Sequence, residues 1–230
     1  MHKINIPLLI LVLLGPYQMS KVFAQDWPNL GKYQNANKKV QHPKPDEYRV
    51  VFMGNSITEG WSKANSTFFE GKPYLNRGIS GQTTPQMLLR FRQDVIDLRP
   101  KIVVILAGTN DIAENTGPIT LEQIRDNMLS MVELSEANGI IPIVCSVLPA
   151  YDYPWRPGKA PNVKIPKLNK LLLNMCAKQQ VPYLDYFSIM VDDRNGLPKK
   201  YTTDEVHLTK EGYAVMEELV EKAISEVLEK

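Results

Sequence analysis

The stretch YRVVFMGNSITEG, residues 48–60, decides the fold. Its first half is a β-rich, largely apolar run that stops at Gly54 and hands over to Asn55 and Ser56. Such a run reads as a buried parallel strand delivering a polar loop to the carboxyl edge of a sheet, where open α/β sheets place their sites. Ser56 is then either a reactive hydroxyl or a helix cap, because Ser56 to Glu59 also has the spacing of a capping box.

Outward from this stretch, apolar runs alternate with helical patterns. Strands are predicted at 48–53, 74–77, 101–107, 140–147 and 181–186. Thr84-Pro85 opens a helix to about Leu98, with proline suited to the first helical position. Thr120 to Gln123 is a capping box opening a helix that Gly139 stops, and residues 162–179 form another. Thr209 caps a last amphipathic helix, in which Tyr213, Met216, Leu219, Val220, Ile224 and Leu228 recur near helical period. Strands separated by helices imply a parallel sheet covered on both faces. The 230 residues suit one domain, and 43% hydrophobic residues supply a core without metals or disulfides. No repeat, low-complexity tract or second domain is found.

Residues 1–24 form a separate unit, with Lys3 as a positive start, an unbroken apolar run from Leu8 to Leu14, and Val22-Phe23-Ala24 as a small-residue cleavage site. This resembles a secretory signal peptide cleaved after Ala24, and the run is shorter than the roughly 20 apolar residues of a spanning helix. No cysteine follows it to serve as a lipoprotein attachment residue. Cleavage removes Lys3 and Lys21 and no acid, so 27 basic residues become 25 against 25 acidic ones. A balanced charge gives no case for nucleic acid or an anionic membrane surface, and points to a neutral or small partner. Residues 25–47, rich in Asn, Gln, Lys and Pro, read as an extended arm ahead of the domain at 48–230. Cys145 and Cys176 fall inside apolar patterns and read as buried thiols rather than nucleophiles.

The stretch from Pro149 to Pro166 breaks the alternation, with five prolines among Tyr151, Tyr153, Trp155 and Arg156. It leaves the carboxyl end of a strand, so it either flanks a substrate with its aromatics or is an ordered spacer whose aromatics pack locally.

A serine hydroxyl needs a base, normally a histidine held by an acid. Of His2, His42 and His207, the first lies in the signal and the second in the arm. His207 stands just before the last helix with Asp204 three residues upstream, where a tight turn can fold the carboxylate onto one ring nitrogen and leave the other for Ser56. Acyl transfer also needs donors aimed at a developing oxyanion. Gly81, after the second strand, would let its backbone N–H approach a substrate, and the third strand runs into Gly108-Thr109-Asn110-Asp111, placing the Asn110 amide at the same edge.

These residues resemble the four blocks of the SGNH hydrolases, a branch of the GDSL esterases and lipases: Gly54-Asn55-Ser56, Ile79-Ser80-Gly81, Gly108-Thr109-Asn110-Asp111 and Asp204-Glu205-Val206-His207. The blocks stand in the family's order and spread across nearly the whole mature chain. The resemblance implies a three-layer α/β/α sandwich, flavodoxin-like, with a parallel sheet of about five strands. It implies Ser56 as nucleophile, His207 as base, Asp204 as its orienter, and Gly81 and Asn110 as oxyanion donors with the Ser56 N–H. Asn55 departs from the aspartate common in the family, which bears on loop geometry. No cofactor and no metal are expected. The substrate class implied is a small-molecule or glycan ester, with O-acetyl removal from carbohydrate as the leading case and Tyr151, Tyr153 and Trp155 as substrate-binding residues. A lysophospholipase or thioesterase would use the same chemistry, and a catalytically silent carbohydrate-binding module is the reading from another class. An α/β-hydrolase is set aside because Thr58 stands where the second glycine of a Gly-x-Ser-x-Gly elbow belongs. A zinc hydrolase is disfavoured by the single usable histidine and the lack of paired cysteines.

Overall fold

The structure, a computed structural model, describes residues 25–229; the expected signal peptide at 1–24 lies outside them. Along the chain run α1 (Gly31–Asn37), β1 (Val50–Gly54), α2 (Ser56–Ala64), β2 (Tyr74–Gly78), α3 (Thr84–Asp94), β3 (Ile102–Leu106), α4 (Thr109–Ile112), α5 (Leu121–Glu136), β4 (Ile141–Cys145), α6 (Pro161–Gln179), β5 (Tyr183–Leu184), α7 (Phe187–Met190) and α8 (Lys210–Leu228). The five strands pair in parallel in the order β2-β1-β3-β4-β5.

Both faces of the sheet are buried, for the reason the unbroken apolar runs imply. Side chains alternate along a strand: Val51, Met53, Val103 and Ile105 join a core with α3, α5 and α6, while Val50, Phe52, Ile102 and Val104 join one with α2 and α8. Trp61 of α2 centres the second core, stacked on Phe68 at 4.9 Å and on Tyr213 of α8 at 5.7 Å. Tyr213 then donates its hydroxyl to the Ile57 carbonyl at 2.8 Å, and the Trp61 indole N–H donates to Glu217 at 2.9 Å. The helix that begins at Ser56 is thereby clamped to the helix that follows His207.

Three expectations change. The arm is not extended throughout: it contains α1, whose first N–H groups, those of Leu30 and Gly31, donate to the Asp26 carboxylate at 2.8 and 2.9 Å. Tyr33 reaches the Gly78 carbonyl and Asn37 the Asp94 carboxylate, so its stability comes from docking rather than from an amphipathic pattern. The helix after the second strand is capped by Thr83, one residue early, and gives way at Asp94 to a single 3₁₀ turn over Ile96–Leu98. The fifth strand is only two residues long.

On α3, Arg90 and Asp94 are paired at 3.0 Å with both side chains fully buried. Burial works against the Arg90 charge, and the Asp94 carboxylate opposes that effect. Removing one partner strands the other charge in the core, so Arg90→Ala should lower the unfolding free energy by about 3–5 kcal/mol in chemical denaturation. Replacing both partners by apolar residues should recover part of that loss. An Arg90→Ala protein as stable as wild type would remove this pair from the structural framework.

Candidate active site

The strand exits place the polar loops together at the carboxyl edge. Asn55, not Ser56, caps α2: its side-chain oxygen accepts the Ile57 N–H at 3.0 Å. The capping alternative for Ser56 is thereby corrected, since asparagine is as good a cap as serine and stands one residue earlier. Relieved of that duty, the Ser56 hydroxyl lies 3.0 Å from His207 Nε2. The close seating of α2 requires glycine beneath it. A Cβ on Gly54 would lie 2.0 Å from Thr58 Oγ1, and one on Gly78 would lie 2.1 Å from the Glu59 backbone nitrogen.

His207 Nδ1 is 2.6 Å from Asp204 Oδ2. The other carboxylate oxygen accepts the backbone N–H groups of His207 at 2.7 Å and Val206 at 3.0 Å. Burial pushes the Asp204 carboxyl up, but the bonds from the His207 ring and these two N–H groups outweigh it and hold the group below the usual carboxylate range. The turn is closed by a bridge between Thr202 and Leu208 and by the Thr202 hydroxyl on the His207 carbonyl at 2.8 Å. Thr209 then caps α8.

Gly81 has φ +77°, and a Cβ there would meet nothing within 4 Å, so glycine is called for by the backbone angle rather than by crowding. Asn110 is 3% exposed, and its amide nitrogen donates one hydrogen to the Gln82 carbonyl at 3.0 Å, leaving one to give. Ser56, Gly81, Asn110, Asp204 and His207, the five residues singled out from the sequence for the reaction, thus all stand at the carboxyl edge of the sheet or on the turn that leads into α8. Three more were not singled out as functional. Glu59 accepts the Ser80 N–H at 2.7 Å and pairs with Lys32 at 2.8 Å, fixing the loop that carries Gly81; its capping-box spacing concealed this role. Asp111 accepts the Thr84 N–H at 2.9 Å and its hydroxyl at 2.6 Å, bolting the Asn110 loop to α3. Asn115 donates to the Gly81 carbonyl at 3.2 Å and accepts the Trp155 indole N–H at 3.0 Å. No short-range pattern marks it.

The three loop aromatics separate. Trp155 is 39% exposed, with its ring centroid 6.3 Å from that of His207. Tyr151 is exposed, but the Arg194 guanidinium covers its ring at 4.9 Å. Tyr153 is a correction: it is completely buried in the core and cannot touch a substrate. The Asp152 carboxylate gathers the N–H groups of Tyr153 and Gly158, folding the loop back so that this ring turns inward and stacks beneath Trp155 at 5.1 Å. Cys145 and Cys176 are free and buried, and burial pushes both thiols up. Among the described residues, no three His, Cys, Asp or Glu side chains converge as a metal-ligand set.

Residues 52–215 match the model of the GDSL-like Lipase/Acylhydrolase family. A solved GDSL-like lipase from Bacteroides thetaiotaomicron superposes with a TM-score of 0.85 at 45% identity, over 87% of this chain and 98% of that one. Platelet-activating factor acetylhydrolase IB subunit alpha1 of Rattus norvegicus is 26% identical over 82% of this chain and 81% of its own length. Two further matches span about half of the relative's length: the uncharacterized lipoprotein YqeF of Bacillus subtilis, 41% identical over 44% of this chain and 48% of its own, and an acetylxylan esterase of Xylanibacter ruminicola, 22% identical over 81% of this chain and 45% of its own.

Asp111 makes the loop beneath Asn110 sensitive to pH. Burial pushes its carboxyl up to about 6, against the pull of the Thr84 hydroxyl and N–H. A raised folded value means that the unfolded chain ionises first, so this group's contribution is greatest below pH 4 and is lost as pH rises to 6. The stability advantage of wild type over Asp111→Asn should shrink by about 2 kcal/mol between pH 4 and 6 in urea unfolding. An advantage that grows across that window would reverse the assignment.

Proposed function

The chain belongs to the GDSL-like lipase/acylhydrolase family, and on that premise we propose that it is an exported serine esterase with Ser56 as nucleophile, His207 as base and Asp204 as its orienter. The observation that carries the reading is the unbroken line from Ser56 Oγ through the imidazole, at 3.0 and 2.6 Å, to a carboxylate kept ionised by its hydrogen bonds. Ser56 Oγ attacks the ester carbonyl carbon as its proton passes to Nε2, while Asp204 holds the Nδ1 proton and stabilises the imidazolium. The carbonyl oxygen becomes an oxyanion that accepts from the Ser56 N–H, the Gly81 N–H and the free Asn110 amide hydrogen. Ser56 also opens α2, whose positive end favours that charge. Collapse expels the alcohol, which takes the proton from Nε2. Water, deprotonated by the same nitrogen, then releases the acid from Ser56.

The acyl group we assign is acetyl and the alcohol a carbohydrate hydroxyl. The names of two relatives, an acetylhydrolase and an acetylxylan esterase, support the first. Trp155 beside His207 supports the second, since a flat indole at the rim suits the face of a sugar ring. Residues 1–24 are the export signal in this reading, cleaved after Ala24, with the arm at 25–47 and the hydrolase domain at 48–230. No helix of the described residues is long and apolar enough to cross a membrane.

Wild type should release acetate from acetylated oligosaccharides faster than it releases longer acyl groups from matched esters, and Ser56→Ala should release neither. A fluorophosphonate that still labels Ser56→Ala would sink the nucleophile assignment.

Asn110 separates an oxyanion donor from a residue that only shapes its loop. A donor bonds the tetrahedral state more strongly than the ground-state carbonyl, so Asn110→Ala should lower kcat with little change in KM. The expected loss is on the order of 10²- to 10³-fold. The Gln82 contact alone would instead move the melting temperature, so both quantities are measured on one preparation. Near-normal kcat per folded molecule would remove Asn110 from the site.

A further inference from the structure

Beside Gly81 opens a cleft of about 520 Å³ walled by Trp27, Ser80, Gln86, Asn115 and Thr116, with Asp26 at its edge. A second hollow of about 390 Å³ passes over Pro85 and Pro118 and shares Trp27 and Thr116 with the first, so Trp27 lies where the two meet. The groove starts at the oxyanion loop itself, since Asn115 binds the Gly81 carbonyl at 3.2 Å and the Trp155 indole at 3.0 Å. The two indoles therefore border the region around Gly81 and His207 on separate loops.

Trp27 is 39% exposed, yet the chain that carries it is fixed. Gln86 donates to the Trp27 carbonyl at 2.8 Å and Gln82 to the Pro28 carbonyl at 2.7 Å, while the Asp26 carboxylate holds the Leu30 and Gly31 N–H groups. The ring is presented by its backbone rather than sheltered in a core. The lining around it mixes amides, hydroxyls and two carboxylates, Asp26 and Asp126, with Pro85, Pro118, Ile79 and Ile119, and holds no lysine or arginine. Such a surface offers nothing to neutralise a phosphate, and its apolar residues are interrupted by hydrogen-bonding groups that a bare acyl chain would leave unpaired. It matches a neutral, hydroxylated ligand with one flat apolar face.

Resting on the carbohydrate reading above, we infer that this groove is a distal glycan subsite in which Trp27 stacks on a sugar unit beyond the acetylated one. The arm then selects for chain length, and the catalytic loops act on whichever acetyl group the chain brings to Ser56.

The test compares wild type, Trp27→Ala and Trp27→Phe on O-acetylated xylo- and manno-oligosaccharides of increasing length, on the O-acetylated monosaccharides and on 4-nitrophenyl acetate. The readout is the ratio of kcat/KM for each saccharide to that for the aryl ester, which is independent of the folded fraction. Truncating a stacked tryptophan should lower the ratio about tenfold for the longer saccharides. The ratio for the monosaccharides should hold, and Trp27→Phe should restore most of the loss. A ratio unchanged at every length, or one that falls equally for monosaccharides, overturns the subsite and leaves the carbohydrate reading standing. A wild type that cleaves the aryl acetate and no saccharide overturns both.

Discussion

Arg90 lies wholly out of solvent on α3 and yet reaches two parts of the molecule beyond its own helix. Its guanidinium donates to the Gly54 carbonyl at 3.0 Å, to Asp94 at 3.0 Å and to the Gln82 side chain. Gly54 is two residues before Ser56, and its carbonyl also accepts the Ile79 N–H at the exit of β2. Gln82 accepts Asn110 through its own carbonyl and holds the arm through Pro28. The Ser56 loop, the loops that carry Gly81 and Asn110, and the arm thus take their positions from one planar fork whose geometry a lysine could not reproduce. Burying that charge is unfavourable on its own, and its hydrogen bonds are what make it tolerable.

The turn from Asp204 to His207 solves a similar problem at the surface. Glu205 has φ +71°, a left-handed conformation that disfavours a side-chain-bearing residue. That conformation brings Asp204 back under the N–H groups of Val206 and His207 and beside the imidazole. Three bonds to one carboxylate offset the backbone cost, so the acid orients the ring and stabilises the turn at once. The remaining coordinate, the separation of Ser56 from His207, is set from below by Tyr213 and Trp61 across the α2–α8 contact.

Most of the fold was legible because both signals used, apolar runs and caps, act over a few residues. The Thr120 and Thr209 caps stand where the sequence puts them, and the five strands lie within their predicted stretches to within a residue. What failed depends on partners far along the chain. The helix at Gly31–Asn37 has no buried residue of its own and is held by Asp26, Gly78 and Asp94. Tyr153 faces the core because Asp152 closes the loop behind it, which composition cannot reveal. Ser56, Gly81, Asn110, Asp204 and His207 could be singled out for the opposite reason, since the proposed chemistry restricts the residue type at each place. Glu59 and Asn115 act only by orienting a loop, and many residue types can do that.

The same distinction bears on where the working unit begins. By composition the arm ends at Glu47, where the polar stretch meets the first apolar run. By contacts it does not: Lys32 joins Glu59, Tyr33 joins Gly78, and Gln82, Gln86 and Gln93 of the α3 region each donate to an arm carbonyl. Three glutamines serving one face of a short segment act as a clamp, and the segment they hold carries Trp27 to the edge of the Gly81 loop. A segment without a helical or strand pattern can be as fixed as a strand when its carbonyls are satisfied by a neighbouring helix. Its polar composition then reflects those bonds, and the one large apolar ring among them is free to face whatever lies in the groove.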